Sequence, residues 1–186
     1  METCFRKLPV AAALLLWCSN SLYASPIVVG LAGPYSLSDW ALTNINADGS
    51  VSDPTSNIPF SLTGGNNGTG NDGTTDFTVL IAGTGSVAFT FSYETLDAPG
   101  FDFAGYILDG AFTQLADTAD ETGTRTVSVS SGQHFGFRVA TIDNQGEPGI
   151  LTISAFDAPA AAPEPATAMT VIICTIALAV LSRHRR

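Results

Sequence analysis

The feature that most constrains this chain is a two-residue alternation of apolar side chains, in short runs separated by turn-forming clusters. Val87, Phe89, Phe91 and Tyr93 fall on one side of an extended segment, while Ser86, Ala88, Thr90 and Ser92 fall on the other. Phe135, Phe137 and Val139 repeat the pattern, as do Leu151, Ile153 and Ala155. A helix would scatter these side chains around its circumference, whereas a strand gathers them on one face. Further strands are expected over 40–43, 58–62, 77–81, 104–108 and 125–130. Asp109-Gly110, between Tyr106-Ile107-Leu108 and Ala111-Phe112-Thr113, is a hairpin signal, because both central positions of the favoured two-residue turn need φ > 0. About eight or nine strands result, enough for an all-β domain built as a two-sheet antiparallel β-sandwich.

The domain must hold itself together by packing. The 3 cysteines are Cys4, Cys18 and Cys174, all outside the stretch that carries the strands. That leaves the domain without a disulfide, a thiol nucleophile or a thiolate metal site. What precedes it, Arg6-Lys7, then the apolar run 10–17, then Ser19-Asn20-Ser21-Leu22-Tyr23-Ala24, has the charged, apolar and small-residue order of a secretory signal peptide over 1–24. The sandwich is expected over 25–158, followed by an Ala/Pro linker over 159–165.

Charge narrows the partners. Leaving Glu2 and Glu164 out of the 17 acidic residues, the stretch from Ser25 to Ala162 holds 15 acids, against Arg125 and Arg138 as its only bases. Such a surface repels phosphate backbones, which bind through Lys and Arg, so nucleic acid is excluded as a partner. Divalent cations are its natural counterions.

The other end of the chain carries a second sorting pattern. Pro163-Glu164-Pro165 leads into an uncharged apolar run over 166–182, and the chain ends Arg183-His184-Arg185-Arg186. A helix over that run reaches about 25 Å, at the short end of what spans a bilayer, with the arginines held in the cytoplasm. The order of these elements resembles the PEP-CTERM sorting signal. That resemblance implies a Gram-negative host, recognition of Pro163, Glu164 and Pro165 by exosortase, a membrane helix retained until processing, and release to the cell surface or extracellular matrix. Residues 40–156, through segments such as Asn44-Ile45-Asn46-Ala47-Asp48-Gly49 and Phe135-Gly136-Phe137-Arg138-Val139, also resemble a domain that recurs in exported PEP-CTERM proteins.

Three acids stand out as ligand candidates. Asp97 and Asp102 flank Pro99-Gly100 after one core strand, and Asp143 opens Asp143-Asn144-Gln145-Gly146 after another. Loops at one end of a sandwich can bring hard oxygen ligands together for Ca²⁺. The layout resembles the Ca²⁺ site of CUB domains, so the sandwich is expected to be of jelly-roll or CUB-like kind. The alternative is that these are turn residues bonding their own backbone. Asn44, Asn46, Asp48 and Gly49 begin like a Ca²⁺ loop of EF-hand type, but Thr55 stands where a bidentate acid is required, so a simple turn is expected. The run 64–73, rich in Gly and Asn, is a single copy of a pattern that needs tandem repeats to bind metal, and it reads as a flexible surface loop. His134 is the one histidine before the tail, beside a strand, and is expected at a sheet edge or face.

Three functions follow in order. The first is a noncatalytic surface or matrix protein, sorted by exosortase and associated with exopolysaccharide. Its alternative is a Ca²⁺-dependent carbohydrate-binding module using Asp97, Asp102 and Asp143. The third is an extracellular hydrolase, for which the sequence offers no motif.

Overall fold

A computed structural model describes residues 25–52 and 58–161. The signal peptide, Pro163, Glu164 and Pro165, the apolar run 166–182, and Arg183, Arg185 and Arg186 lie outside the described residues, as does Thr55. Among the described residues no helix is long and apolar enough to cross a membrane.

Strong alternation produces the central strands. β1 (Ile27–Val29), β2 (Ala41–Ile45), β3 (Ser50–Val51) and β4 (Phe60–Thr63) are followed by β5 (Gly73–Leu80), β6 (Gly85–Glu94) and β7 (Asp102–Leu108). The remaining strands are β8 (Ala111–Ala116), β9 (Glu121–Val129), β10 (His134–Thr141) and β11 (Ile150–Pro159). They form two antiparallel sheets. Sheet A runs β3-β4-β11-β6-β9, with β1 also paired to β11; sheet B runs β2-β5-β10-β7-β8. The expected hairpin joins β7 to β8, with Asp109 at φ 48 and Gly110 at φ 81. β11 continues through Pro159, one residue into the stretch expected to be linker, because Pro159 pairs with Ile27 and its carbonyl accepts the Tyr35 hydroxyl at 2.5 Å.

The inward faces meet in an aromatic core. Trp40 stacks on Phe77 at 4.8 Å between ring centroids, Phe60 of sheet A meets Phe77 of sheet B edge-on at 5.5 Å, and Phe89 meets Phe137 at 5.1 Å. Offset and edge-to-face pairs of this kind add to the burial energy of the rings, which explains a stable sandwich without disulfides. The Trp40 indole donates to the Tyr35 carbonyl at 3.1 Å, so its one polar atom is satisfied.

The sheet register decides what gathers where. Gly73 pairs with Thr141 and Thr141 with Asp102, while Ile150 pairs with both Thr63 and Glu94. The β2–β3, β4–β5, β6–β7, β8–β9 and β10–β11 connections therefore all emerge at one end of the sandwich. The β7–β8 hairpin and the short β5–β6 and β9–β10 turns close the other.

Candidate functional site at the loop end

Asn144 organises the loop end. It sits at φ 52, a left-handed conformation that Asn tolerates better than most residues, and is fully buried. Its side-chain amide donates to the carbonyls of Asn46 at 2.9 Å and Asn71 at 2.7 Å, while its own carbonyl accepts the Gly68 N–H at 2.8 Å. Three connections are thus tied to one residue. A Cβ at Gly65 or Gly73 would run into the Asn144 amide, which is why glycine stands at both positions.

The expectation of a flexible 64–73 loop is corrected by these contacts. Asn66 donates its N–H to Asp48 at 2.7 Å and its amide to the Gly146 carbonyl at 2.6 Å, and Asn67 donates to the Asn46 carbonyl at 3.1 Å. The polar side chains that suggest a mobile loop in sequence are used as ties between neighbouring turns. Asn44 and Asn46 act likewise, donating to the carbonyls of Gly49 at 2.8 Å and Asp72 at 2.5 Å, in keeping with the simple turn.

Asp97, Asp102 and Asp143 share this end of the molecule and play different parts. Asp97 accepts the Ala98 N–H at 2.8 Å, and Asp143 accepts the Gln145 N–H at 3.1 Å; both are turn contacts. Asp102 instead begins β7 and is 1% exposed. Burial pushes its carboxyl up to about 6, against a relieving bond from the Thr141 hydroxyl, with the charges of Asp97 and Asp143 raising it further. One of its oxygens has no hydrogen-bond partner, and neither has the Asn144 amide oxygen. Beside it the Tyr93 hydroxyl is buried and also lacks a partner; burial first, and the Asp102 charge second, raise its pKa. Among the described residues no three His, Cys, Asp or Glu side chains stand close enough together to hold a metal ion.

Next to these acids is a shallow pocket of about 140 Å³, lined by Glu94, Thr95, Leu96, Glu147, Pro148 and Ile150. Leu96 is 86% exposed, an unusual position for a large apolar side chain. The pocket offers carboxylate acceptors beside a small apolar surface, a combination suited to a ligand with many hydroxyls and C–H faces. Asp102 has a carboxyl lifted toward the range of a general acid, but it is sealed beneath the loops, out of reach of a substrate.

His134 lies at the opposite end, exposed on β10, with its N–H donating to Asp109 at 2.8 Å. This agrees with the expected sheet position. Glu94, Leu96, Glu147 and Asn144 were not among the sequence candidates. The only signal for them was proximity to Asp97 and Asp143 in the chain.

No protein-family model matches the chain, and no curated protein matches it. Solved structures do. A family 35 carbohydrate binding module from Clostridium thermocellum is 14% identical, with 74% of this chain and 100% of that chain covered at a TM-score of 0.37. TmCBM61 in complex with beta-1,4-galactotriose is 11% identical over 70% of this chain and 94% of that one, at 0.40. The CBM22-1 xylan-binding domain from Paenibacillus barcinonensis Xyn10C is 12% identical over 75% and 98%, at 0.35. These three are carbohydrate-binding modules, and against them the reading placed first from sequence, an exosortase-sorted matrix protein, is corrected; the likeness itself shows the fold alone.

Proposed function

We propose that this chain is a noncatalytic carbohydrate-binding module whose loop end receives a neutral glycan. The observation that carries the reading is the pocket between the β6–β7 and β10–β11 connections, where Glu94 and Glu147 flank the exposed Leu96. Carboxylates accept pairs of hydroxyl hydrogens, while Leu96 and Pro148 meet the less polar side of a sugar ring. An anionic ligand is disfavoured by the acids around the pocket, which points to neutral polysaccharides. The strand order supports a jelly-roll reading of the sandwich, since β4 to β11 supply the four-strand orders β4-β11-β6-β9 and β5-β10-β7-β8 of a double Greek key.

Ca²⁺ belongs to the same proposal as a structural ion. The buried Asp102 oxygen without a partner is a lone-pair ligand that a hard cation would satisfy; since no three carboxylates gather around it among the described residues, other loop-end oxygens would have to complete the shell. The test of both parts is affinity electrophoresis of the full-length chain through gels cast with xylan, mannan, galactan or β-glucan, with Ca²⁺ or chelator. Retardation by at least one polymer, reduced by Leu96→Ser and by Glu147→Gln, is expected. Free migration in every gel rejects carbohydrate binding, and a melting temperature unchanged between millimolar Ca²⁺ and chelator rejects the ion.

A further inference from the structure

The outer face of sheet B carries a second cluster, none of whose residues lines the loop-end pocket. Pairing in β10 sets Arg138 opposite Asp76 on one side and Gly105 on the other, and Gly105 opposite Gln114. Because Phe137 and Val139 point into the core, Arg138 points out. Its guanidinium binds Asp76 through two parallel bonds of 2.6 Å each, with side chains 21% and 13% exposed. The Asp76 bond raises the Arg138 pKa and holds the group charged and oriented.

Two aromatic rings complete the cluster. Phe103 and Phe112, both half-buried, have centroids 6.0 Å apart, and the Arg138 guanidinium carbon lies 5.7 Å from the Phe112 centroid. Phe112 reaches this position because Gly105 has no side chain: a Cβ there would lie 2.7 Å from a Phe112 ring carbon. Glycine and register thus lay a ring against the sheet instead of letting it project. Nothing in the core requires this, since Phe112 is on the side of the sheet away from it.

The occupant is defined by what the cluster offers. Two of the five guanidinium N–H groups are used by Asp76, leaving donors for an acceptor-bearing ligand. The charge of Arg138 is already balanced by Asp76, so the face does not select for anions. A two-ring patch bordered by exposed Thr43 and Gln114 is also far smaller than a stable protein interface, which buries about 800 Å² per partner. Apolar ring faces beside fixed donors and acceptors suit the two sides of a pyranose ring.

We propose that the outer face of sheet B is a second glycan contact, in which Phe103 and Phe112 pack on sugar C–H faces while Arg138, Asp76 and Gln114 bind hydroxyls. The inference rests on the carbohydrate-binding reading and adds to it: two contacts on one domain favour a long polymer over a short oligosaccharide, because the second contact forms intramolecularly.

The test is binding of the full-length chain to the polysaccharide that retards it, and to a trisaccharide of the same linkage, for wild type, Phe112→Ala, Phe112→Leu and Leu96→Ser. Phe112→Leu keeps most of the apolar volume and loses the ring face, so it separates stacking from folding; melting curves accompany every variant. The expected result is that both Phe112 variants lower polymer affinity by about tenfold and retain the residual binding of the loop end. Wild-type polymer affinity in Phe112→Leu and Phe112→Ala, with loss confined to Leu96→Ser, overturns the second contact and leaves the loop end standing. Absence of binding by the wild-type chain to every polymer overturns the carbohydrate reading and this inference with it.

Discussion

The two ends of the sandwich use the same kinds of residue for different ends. At the hairpin end, Asp109 closes a two-residue turn, and its carboxylate accepts the His134 N–H at 2.8 Å and the Gln133 amide at 2.7 Å, both at the adjoining β9–β10 turn. At the loop end, Asn144 reaches carbonyls contributed by residues 46 and 71 and holds three connections around itself. The hairpin end thus ties its β7–β8 turn to one neighbouring connection, 24 and 25 residues away along the chain. The loop end is closed by long-range ties, and polar groups are left buried without partners, namely Asn144 Oδ1 and Asp102 Oδ2. A fold retains such costs where they position something else.

The sharpest way to break this contrast is to remove one residue from each end. Asn144→Ala should destabilise the protein by about 2–3 kcal/mol, because a fully buried side chain that ties two backbone carbonyls is lost, while Asp109→Ala should cost about 1 kcal/mol at its exposed turn. Urea unfolding measures both. Equal losses would mean that the loop end is held no more tightly than an ordinary turn.

A smaller effect should follow pH. The folded Asp102 carboxyl is raised from 3.8 to about 6, so between those values the folded state holds a proton that the unfolded state has released. Its contribution is complete below pH 3.8 and is lost as pH rises through about 6. Stability should therefore increase as pH is lowered from 7 toward 4.5, by on the order of 2 kcal/mol, and Asp102→Asn should abolish that increase. A flat profile in the wild-type protein would show that Asp102 is better solvated than its burial implies.

How much of this was legible in the sequence follows from which contacts are local. β6 was plain, because Val87, Phe89, Phe91 and Tyr93 are each buried and each two residues apart. β2 was placed one to two residues off, since every residue of Ala41–Ile45 is exposed and no alternation marks its ends. β1 and β3 were missed. One holds three apolar residues in a row and the other is two residues long, so neither has room for a period. The two-residue turn at Asp109-Gly110 was legible because its φ requirement lies in the residues themselves.

The candidate site was legible only in part for the same reason. Acids beside turns pointed to the end of the sandwich where Asp97, Asp102 and Asp143 do gather, and the alternative of turn contacts holds for Asp97 and Asp143. Asp102 read as one more loop acid, yet it opens a strand and is sealed by Thr141, its partner across the sheet. Asn144 gave no signal, since its partners are 98 and 73 residues away along the chain. Arg138 and Asp76 were likewise separated by 62 residues, and only the register of β5 against β10 pairs them.

The central claim is that the loop end receives a neutral glycan, and backbone amide shifts during titration with a neutral oligosaccharide test it most directly. The account predicts saturable shifts at Glu94, Thr95, Leu96, Glu147 and Ile150, with the Asp109-Gly110 hairpin unmoved. Saturable shifts confined to the hairpin end, or none with any neutral sugar, would contradict it.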